Sequence, residues 1–99
     1  MKKVFISQPM KWRSDSEILA TRQRALDKVQ DRLGEEVELI ESFFQAAPTD
    51  AKPLWFLGKS LQMMSQADLV FFAEGWQNMR GCRIEHQCAV DYGIETMYE

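Results

Sequence analysis

The 99-residue sequence is poor in the residues that build the simplest recognisable sites, with one histidine, two cysteines, three prolines and five glycines. Glycine is too sparse for a phosphate-cradling loop. Neither a G-x-G-x-x-G nor a Walker signature occurs, which disfavours a dinucleotide or a nucleoside triphosphate as ligand. Cys82 and Cys88 stand six apart on a stretch that reads as one helix. Their side chains then point to different faces and cannot easily bridge, so buried thiols are expected rather than a disulfide or redox pair. Cys82, Glu85, His86 and Cys88 are all metal-type residues, but only Cys82 and His86 share an i,i+4 face with Glu85 nearby, so no metal and no cofactor are expected. Long apolar runs are missing too. After Met1-Lys2-Lys3 only Val4-Phe5-Ile6 precede Ser7, far short of a signal peptide, and no segment approaches a membrane span. A cytoplasmic protein without a membrane partner is the expectation. Positive charge is not in excess, because 12 Lys+Arg face 15 Asp+Glu for a formal charge of -3. A nucleic-acid polymer is therefore not an expected partner, although local basic pockets remain possible.

What is present is core material. Hydrophobic residues make up 45%, aromatics 11% and charged residues 27%, the profile of a packed domain, and the length suits one domain over residues 1–99. Lys3-Val-Phe-Ile-Ser7 is a short β-branched run stopped by Gln8-Pro9 and reads as a first strand. Ser14-Asp-Ser-Glu17 has the form of a capping box, and apolar residues from Ile18 to Leu33 recur at helical spacing until Gly34. Glu36–Ile40 alternates and reads as a second strand. Pro48 and Pro53 fence a loop, and Pro53 suits the first position of a second helix carrying Leu54, Phe56, Leu57, Leu61 and Met64. Ala67–Ala73 is the most apolar run and reads as a strand covered on both faces. A third helix over Arg80–Tyr92 and a fourth strand over Ile94–Tyr98 complete the chain. Alternating strands and helices imply right-handed crossovers and a parallel sheet. The expected fold is a flavodoxin/Rossmann-like three-layer α/β/α domain with four parallel strands in the order 2-1-3-4. Its ligand crevice lies beyond the carboxyl ends of the first and third strands, where the loops Ser7–Arg13 and Glu74–Gly81 meet.

Those loops carry the chemistry-bearing residues. Glu85 is expected in the first turn of the last helix, where the positive end of the helix dipole favours its ionised form. It reads either as a carboxylate nucleophile or sugar-hydroxyl acceptor, or as an ordinary acid satisfying the dipole. Arg80, Gly81 and Arg83 flank the same helix start and suit a phosphate, or are simply solvated. Ser7, Gln8, Met10, Lys11, Trp12 and Arg13 form the facing loop. Trp12 and Trp76 could stack on a base or close over a sugar, or line a subunit contact. His86 reads as a surface residue or one standing behind the site. Asp68 reads as a strand-start residue.

The segments Val4-Phe-Ile-Ser-Gln-Pro-Met10, Ser65-Gln-Ala-Asp-Leu-Val-Phe-Phe72 and Gly75-Trp-(x4)-Gly81-Cys-Arg-Ile-Glu85-His-(x2)-Ala89-(x2)-Tyr-Gly93-Ile together resemble the nucleoside 2-deoxyribosyltransferase-like superfamily. The likeness extends over nearly the whole chain and is strongest to a branch of small bacterial and phage proteins of unassigned function. It implies that Glu85 attacks the anomeric carbon of a 2-deoxynucleoside or its 5'-monophosphate and releases the base, after which water or another base completes hydrolysis or transfer. An oxocarbenium-like centre needs such an adjacent carboxylate. Three departures stand out. Active members carry a tyrosine where this chain has Phe5, so the hydroxyl that would orient the glutamate is missing. They carry a sugar-binding aspartate where this chain has Ser60, and transferases carry an acid near the positions of Asn78 and Met79.

The resemblance therefore implies a nucleoside- or nucleotide-binding domain with Glu85 as catalytic residue and Ser7, Gln8, Met10, Ser60, Trp76, Arg80 and Gly81 around the ligand. N-glycosidic cleavage or deoxyribosyl transfer is the expected reaction. A non-catalytic nucleotide-binding or sensing module, or an interaction protein with a vestigial crevice, are the alternatives. Superfamily members commonly complete their sites across a subunit interface. Apolar residues at Phe43-Phe44 and Leu54-Trp55-Phe56 exceed what one small sheet needs, so a homodimer or higher homo-oligomer is expected.

Overall fold

A computed structural model describes residues 1–41 and 47–99; Phe43 and Phe44 lie outside the described residues. Strand β1 (Lys2–Ser7) is followed by helix α1 (Asp15–Leu33), strand β2 (Val37–Leu39), helix α2 (Pro53–Met64), strand β3 (Leu69–Phe72), a 3-10 turn (Trp76–Asn78), helix α3 (Arg80–Asp91) and strand β4 (Glu95–Tyr98). All strand pairings are parallel and the sheet order is β2-β1-β3-β4. The chain thus adopts the three-layer α/β/α fold expected from its pattern. The 3-10 turn was not anticipated.

Strand β3 and residues 4–6 of β1 are apolar because both faces of the sheet are covered there. Val4, Ile6, Leu69, Phe71 and Ala73 point to one side and pack on Ala25 and Val29 of α1. Phe5, Val70 and Phe72 point to the other and meet Met64 of α2 and Ala89 of α3. Phe71 and Phe72 are fully buried, and truncating either to alanine is expected to cost about 3–5 kcal/mol. The register sets Val4 against Leu69 and Ser7 against Phe72. Asp68 continues this pairing at the sheet's other end. Its N–H donates to Lys3 O at 2.8 Å and its carboxylate accepts from Lys3 N at 2.8 Å, the strand-start role expected of it.

Helix α1 begins at Ser14, whose Oγ accepts from Glu17 N at 3.2 Å. It ends at Gly34, in the left-handed region with φ +69°. Helix α2 starts at Pro53 without a side-chain cap and buries only Met64 of its twelve residues, although it carries Leu54, Trp55, Phe56, Leu57 and Leu61. Strand β2 spans Val37–Leu39, shorter than its alternating pattern over Glu36–Ile40. Ile40 N still reaches Val4 O at 2.9 Å just past its end.

Candidate functional site

Strand β1 stands between β2 and β3, so its carboxyl end opens at the point where the strand order reverses, the place where open α/β sheets bind ligands. Side chains alternate along a strand, so Ser7 shares the face of Phe5 and looks toward α3. On α3 the buried residues are Cys82, Glu85 and Ala89, an i, i+3, i+7 stripe, so a carboxylate occupies a core position of the helix. Ser7 Oγ donates to Glu85 Oε1 at 2.7 Å across a sequence separation of 78 residues. The hydroxyl that Phe5 does not supply thus reaches the glutamate from two residues further along the same strand.

Glu85 is 7% exposed. Burial pushes its carboxyl up to about 7, against the opposing pull of the Ser7 and Ser60 hydroxyls. Two expectations are corrected here. Helix α3 begins at Arg80, so Glu85 stands in the second turn rather than the first, beyond the reach of most of the helix-end charge. Desolvation governs its charge state, and the direction is toward the protonated form. The neighbouring Cys82 thiol is likewise raised by burial, to about 11, with the Glu85 charge adding to the effect. It is an inert thiol at neutral pH.

Glu85 faces a cavity of about 230 Å³. Gln8, Met10, Ser60 and Gly81 line it, together with Phe5, Phe56 and Leu57. The structure therefore brings five of the expected site residues to one cavity, if Glu85 is counted with these four, and sets Ser7 behind it as the partner of Glu85. Ser7 is 1% exposed and Gln8 5%. The Gln8 amide is engaged elsewhere, since Nε2 donates to Ile18 O at 3.2 Å and Oε1 accepts from Arg22 Nε at 3.3 Å. Arg22 in turn pairs with Glu41 at 3.1 Å. Gln8 thereby ties the end of β1 to α1.

Arg80 lies outside this cavity. It lines an adjoining cleft with Lys52, Leu54 and Ile84, and the two spaces share Pro53, Leu57 and Gly81 as a common wall. Neither α2 nor α3 has a side-chain cap or an acid in its first turn, so amides at both helix starts and the cations Lys52 and Arg80 border one cleft. Arg83 does not join them, because its Nη1 donates to Gln77 O at 2.9 Å.

Trp76 is not among the residues lining the cavity. Its ring packs against Phe72, His86 and Tyr98, with centroid separations of 5.2, 4.5 and 5.9 Å. His86 Nε2 lies 2.7 Å from Tyr98 Oη within that cluster. The 3-10 turn that the sequence pattern did not reveal rotates Trp76 onto the end of the sheet, which the turn's Trp76 N to Ala73 O bond of 3.1 Å fixes. Cys82 lines the Glu85 cavity while His86 joins the aromatic cluster, so the i,i+4 pair does not converge. Both cysteines are free. Trp12 is 92% exposed at the tip of the β1 loop, in the left-handed region with φ +66°. The two crevice loops do meet. A Cβ on Gly75 would stand 3.5 Å from Pro9 Cγ, an ordinary contact, so it is the backbone angle of φ +88° that suits glycine there.

No protein-family model and no curated protein matches the chain. Among solved structures it is similar to a 2-deoxyribosyltransferase from the psychrotolerant bacterium Bacillus psychrosaccharolyticus, with a TM-score of 0.61 at 15% sequence identity. The superposition covers 97% of this chain and 70% of that one. At this identity the likeness is one of fold, and the two chains share the three-layer architecture nearly end to end.

Proposed function

We propose that this domain binds a nucleoside or nucleotide at the carboxyl ends of β1 and β3 and breaks its N-glycosidic bond through Glu85. The observation that carries the reading is a buried carboxylate, held by Ser7 at 2.7 Å and facing a cavity at the strand-order reversal. The fold shared with a 2-deoxyribosyltransferase supports the substrate class. In the reaction, a Glu85 carboxylate oxygen forms a bond to the anomeric carbon as the bond from that carbon to the base nitrogen breaks. The base leaves with the electron pair and takes up a proton. Water then attacks the same carbon, freeing Glu85 and giving hydrolysis, whereas attack by a second base gives transfer. The nucleophile must be ionised, so kcat/KM is expected to rise with pH through about 7, where Glu85 titrates.

The placement of Arg80 and Lys52 in the adjoining cleft favours a 5'-monophosphate over a bare nucleoside, with the sugar beside Glu85 and the phosphate toward Gly81 and Arg80. Met10 borders the ligand space from the β1 loop and Ser60 from α2, while Gln8 holds the end of β1 in place through its bonds to α1. The exposed apolar residues of α2 and α3, such as Leu54 at 76% and Ile84 at 41%, support a homodimer through this face. Sedimentation as a monomer at micromolar concentration defeats that part.

A second reading is a binding or sensing module. It is favoured by Phe5 and Ser60, because Glu85 is the sole carboxylate among the described cavity-lining residues, which leaves no second carboxyl to protonate the departing base. Base release from a panel of deoxynucleosides and their monophosphates, followed by chromatography beside a thermal-shift series, separates the two. Turnover abolished by Glu85→Gln supports the enzyme; stabilisation without turnover supports the module; silence in both refutes nucleoside recognition.

A further inference from the structure

We propose that Ser7 is a positioning residue that holds the Glu85 carboxylate in one orientation by donating a hydroxyl hydrogen bond to it from the neighbouring strand. The inference rests on the reading of Glu85 as the reacting group, and it assigns to Ser7 a role distinct from touching the ligand.

Ser7 is suited to act through Glu85 because backbone pairing holds it and it is shielded from solvent. It ends β1 opposite Phe72 of β3, its carbonyl accepts from Ala73 N at 2.9 Å, and it is 1% exposed. A ligand in the cavity meets Glu85, not Ser7. The 2.7 Å contact to Oε1 is within the range of a strong hydroxyl-to-carboxyl bond, and a glutamate side chain has enough free torsions that an anchor is needed to keep it aimed. Ser60 of α2 lines the same cavity. Thus β1 supplies the anchor and α3 the carboxylate that it holds. The other titratable groups on this cavity are Cys82, on the same helix as Glu85, and Lys11, from the β1 loop. Burial keeps the Cys82 thiol protonated at neutral pH, so it does not displace the Glu85 carboxylate as the acceptor for Ser7.

The test reads the titration of Glu85 directly, with glutamate side-chain carboxyls labelled with carbon-13 and the Glu85 resonance assigned by its loss in Glu85→Gln. Ser7→Ala and the nearly isosteric Ser7→Cys are expected to raise the midpoint by about one pH unit, and Ser7→Thr to return it toward the parent. Ser7→Cys keeps the volume filled and serves if the alanine variant does not fold. In the base-release assay the Ser7 variants should lose about 10²-fold in kcat with KM little changed, with the rising limb of the pH profile moved upward and activity regained by Ser7→Thr. An unmoved Glu85 midpoint in folded Ser7→Cys overturns the inference, as does a loss confined to KM, which would mean that Ser7 contacts the ligand. If the parent releases no base at all, the proposed reaction fails while the midpoint shift still decides the role of Ser7.

Discussion

Replacing Glu85 with glutamine is expected to stabilise the protein, and to do so increasingly as pH rises from 5 to 8. In the unfolded chain the carboxyl has its ordinary value of 4.5, and in the folded chain it titrates at about 7. The folded state therefore binds more protons than the unfolded state between these values, and stability falls with rising pH across that window before levelling off above it. At about 1.4 kcal/mol per pH unit, a rise of about two and a half units corresponds to about 3 kcal/mol once the pH exceeds 8, and to under about 1 kcal/mol at pH 5. Glutamine keeps the shape and an acceptor for Ser7 but cannot ionise, so it escapes that penalty. Because a domain of this size changes its Tm by about 4–8 °C per kcal/mol, the variant should melt about 10 °C or more above the parent at pH 8 and much closer to it at pH 5. Every other carboxylate is common to both proteins, so the difference between the two melting curves isolates Glu85. Calorimetry or circular dichroism at matched ionic strength measures it. A difference in Tm that is the same at pH 5 and pH 8, or that favours the parent at pH 8, would refute the burial argument and with it the electrostatic basis of the site.

Glu99 should act in the opposite sense. Its side chain accepts from Arg24, from Lys28 at 3.0 Å and from Glu74 N at 2.9 Å, and the Arg24 guanidinium leads in drawing it down to about 2. Its contribution to stability is present above about pH 4.5 and lost as the pH falls toward 2, so Glu99→Gln should lower Tm at pH 7 and have little effect near pH 2. Arg80→Ala is expected to weaken binding of a deoxynucleoside 5'-monophosphate about tenfold or more and to leave the nucleoside nearly unaffected, read by calorimetric titration; equal losses would remove Arg80 from the phosphate subsite. Phe5→Tyr together with Ser60→Asp adds the hydroxyl and carboxylate that active members of the resembling superfamily carry. Single-turnover base release should rise in the double variant and vanish when Glu85→Gln is added. Because Ser60 adjoins Glu85, the new carboxylate should also move the rising limb of the pH profile above 7.

Much of the architecture follows from local pattern alone. The apolar run at residues 4–6, the capping box at Ser14, Pro53 at a helix start and the run at Leu69–Phe72 specify their elements within a few residues, because hydrophobic period and breaker residues act over a handful of positions. Given those elements, right-handed crossovers leave few topologies, and the order β2-β1-β3-β4 with its crevice follows. Glu85 was legible as a site candidate for the same reason, since it lies near the start of a helix that begins at that crevice. What governs its chemistry was not legible. The bond from Ser7 links residues 78 apart, and no local spacing encodes it. Whether Gln8 faces a ligand or ties β1 to α1, and whether Trp76 closes over the cavity or packs on Tyr98, depend on how a helix and a three-residue turn dock against the sheet. Most of all, the helix pattern identified an acid near a positive helix end, whereas packing placed it in the buried stripe between Cys82 and Ala89. Desolvation is a property of everything that surrounds a group, so tertiary structure alone decided that Glu85 titrates near neutrality.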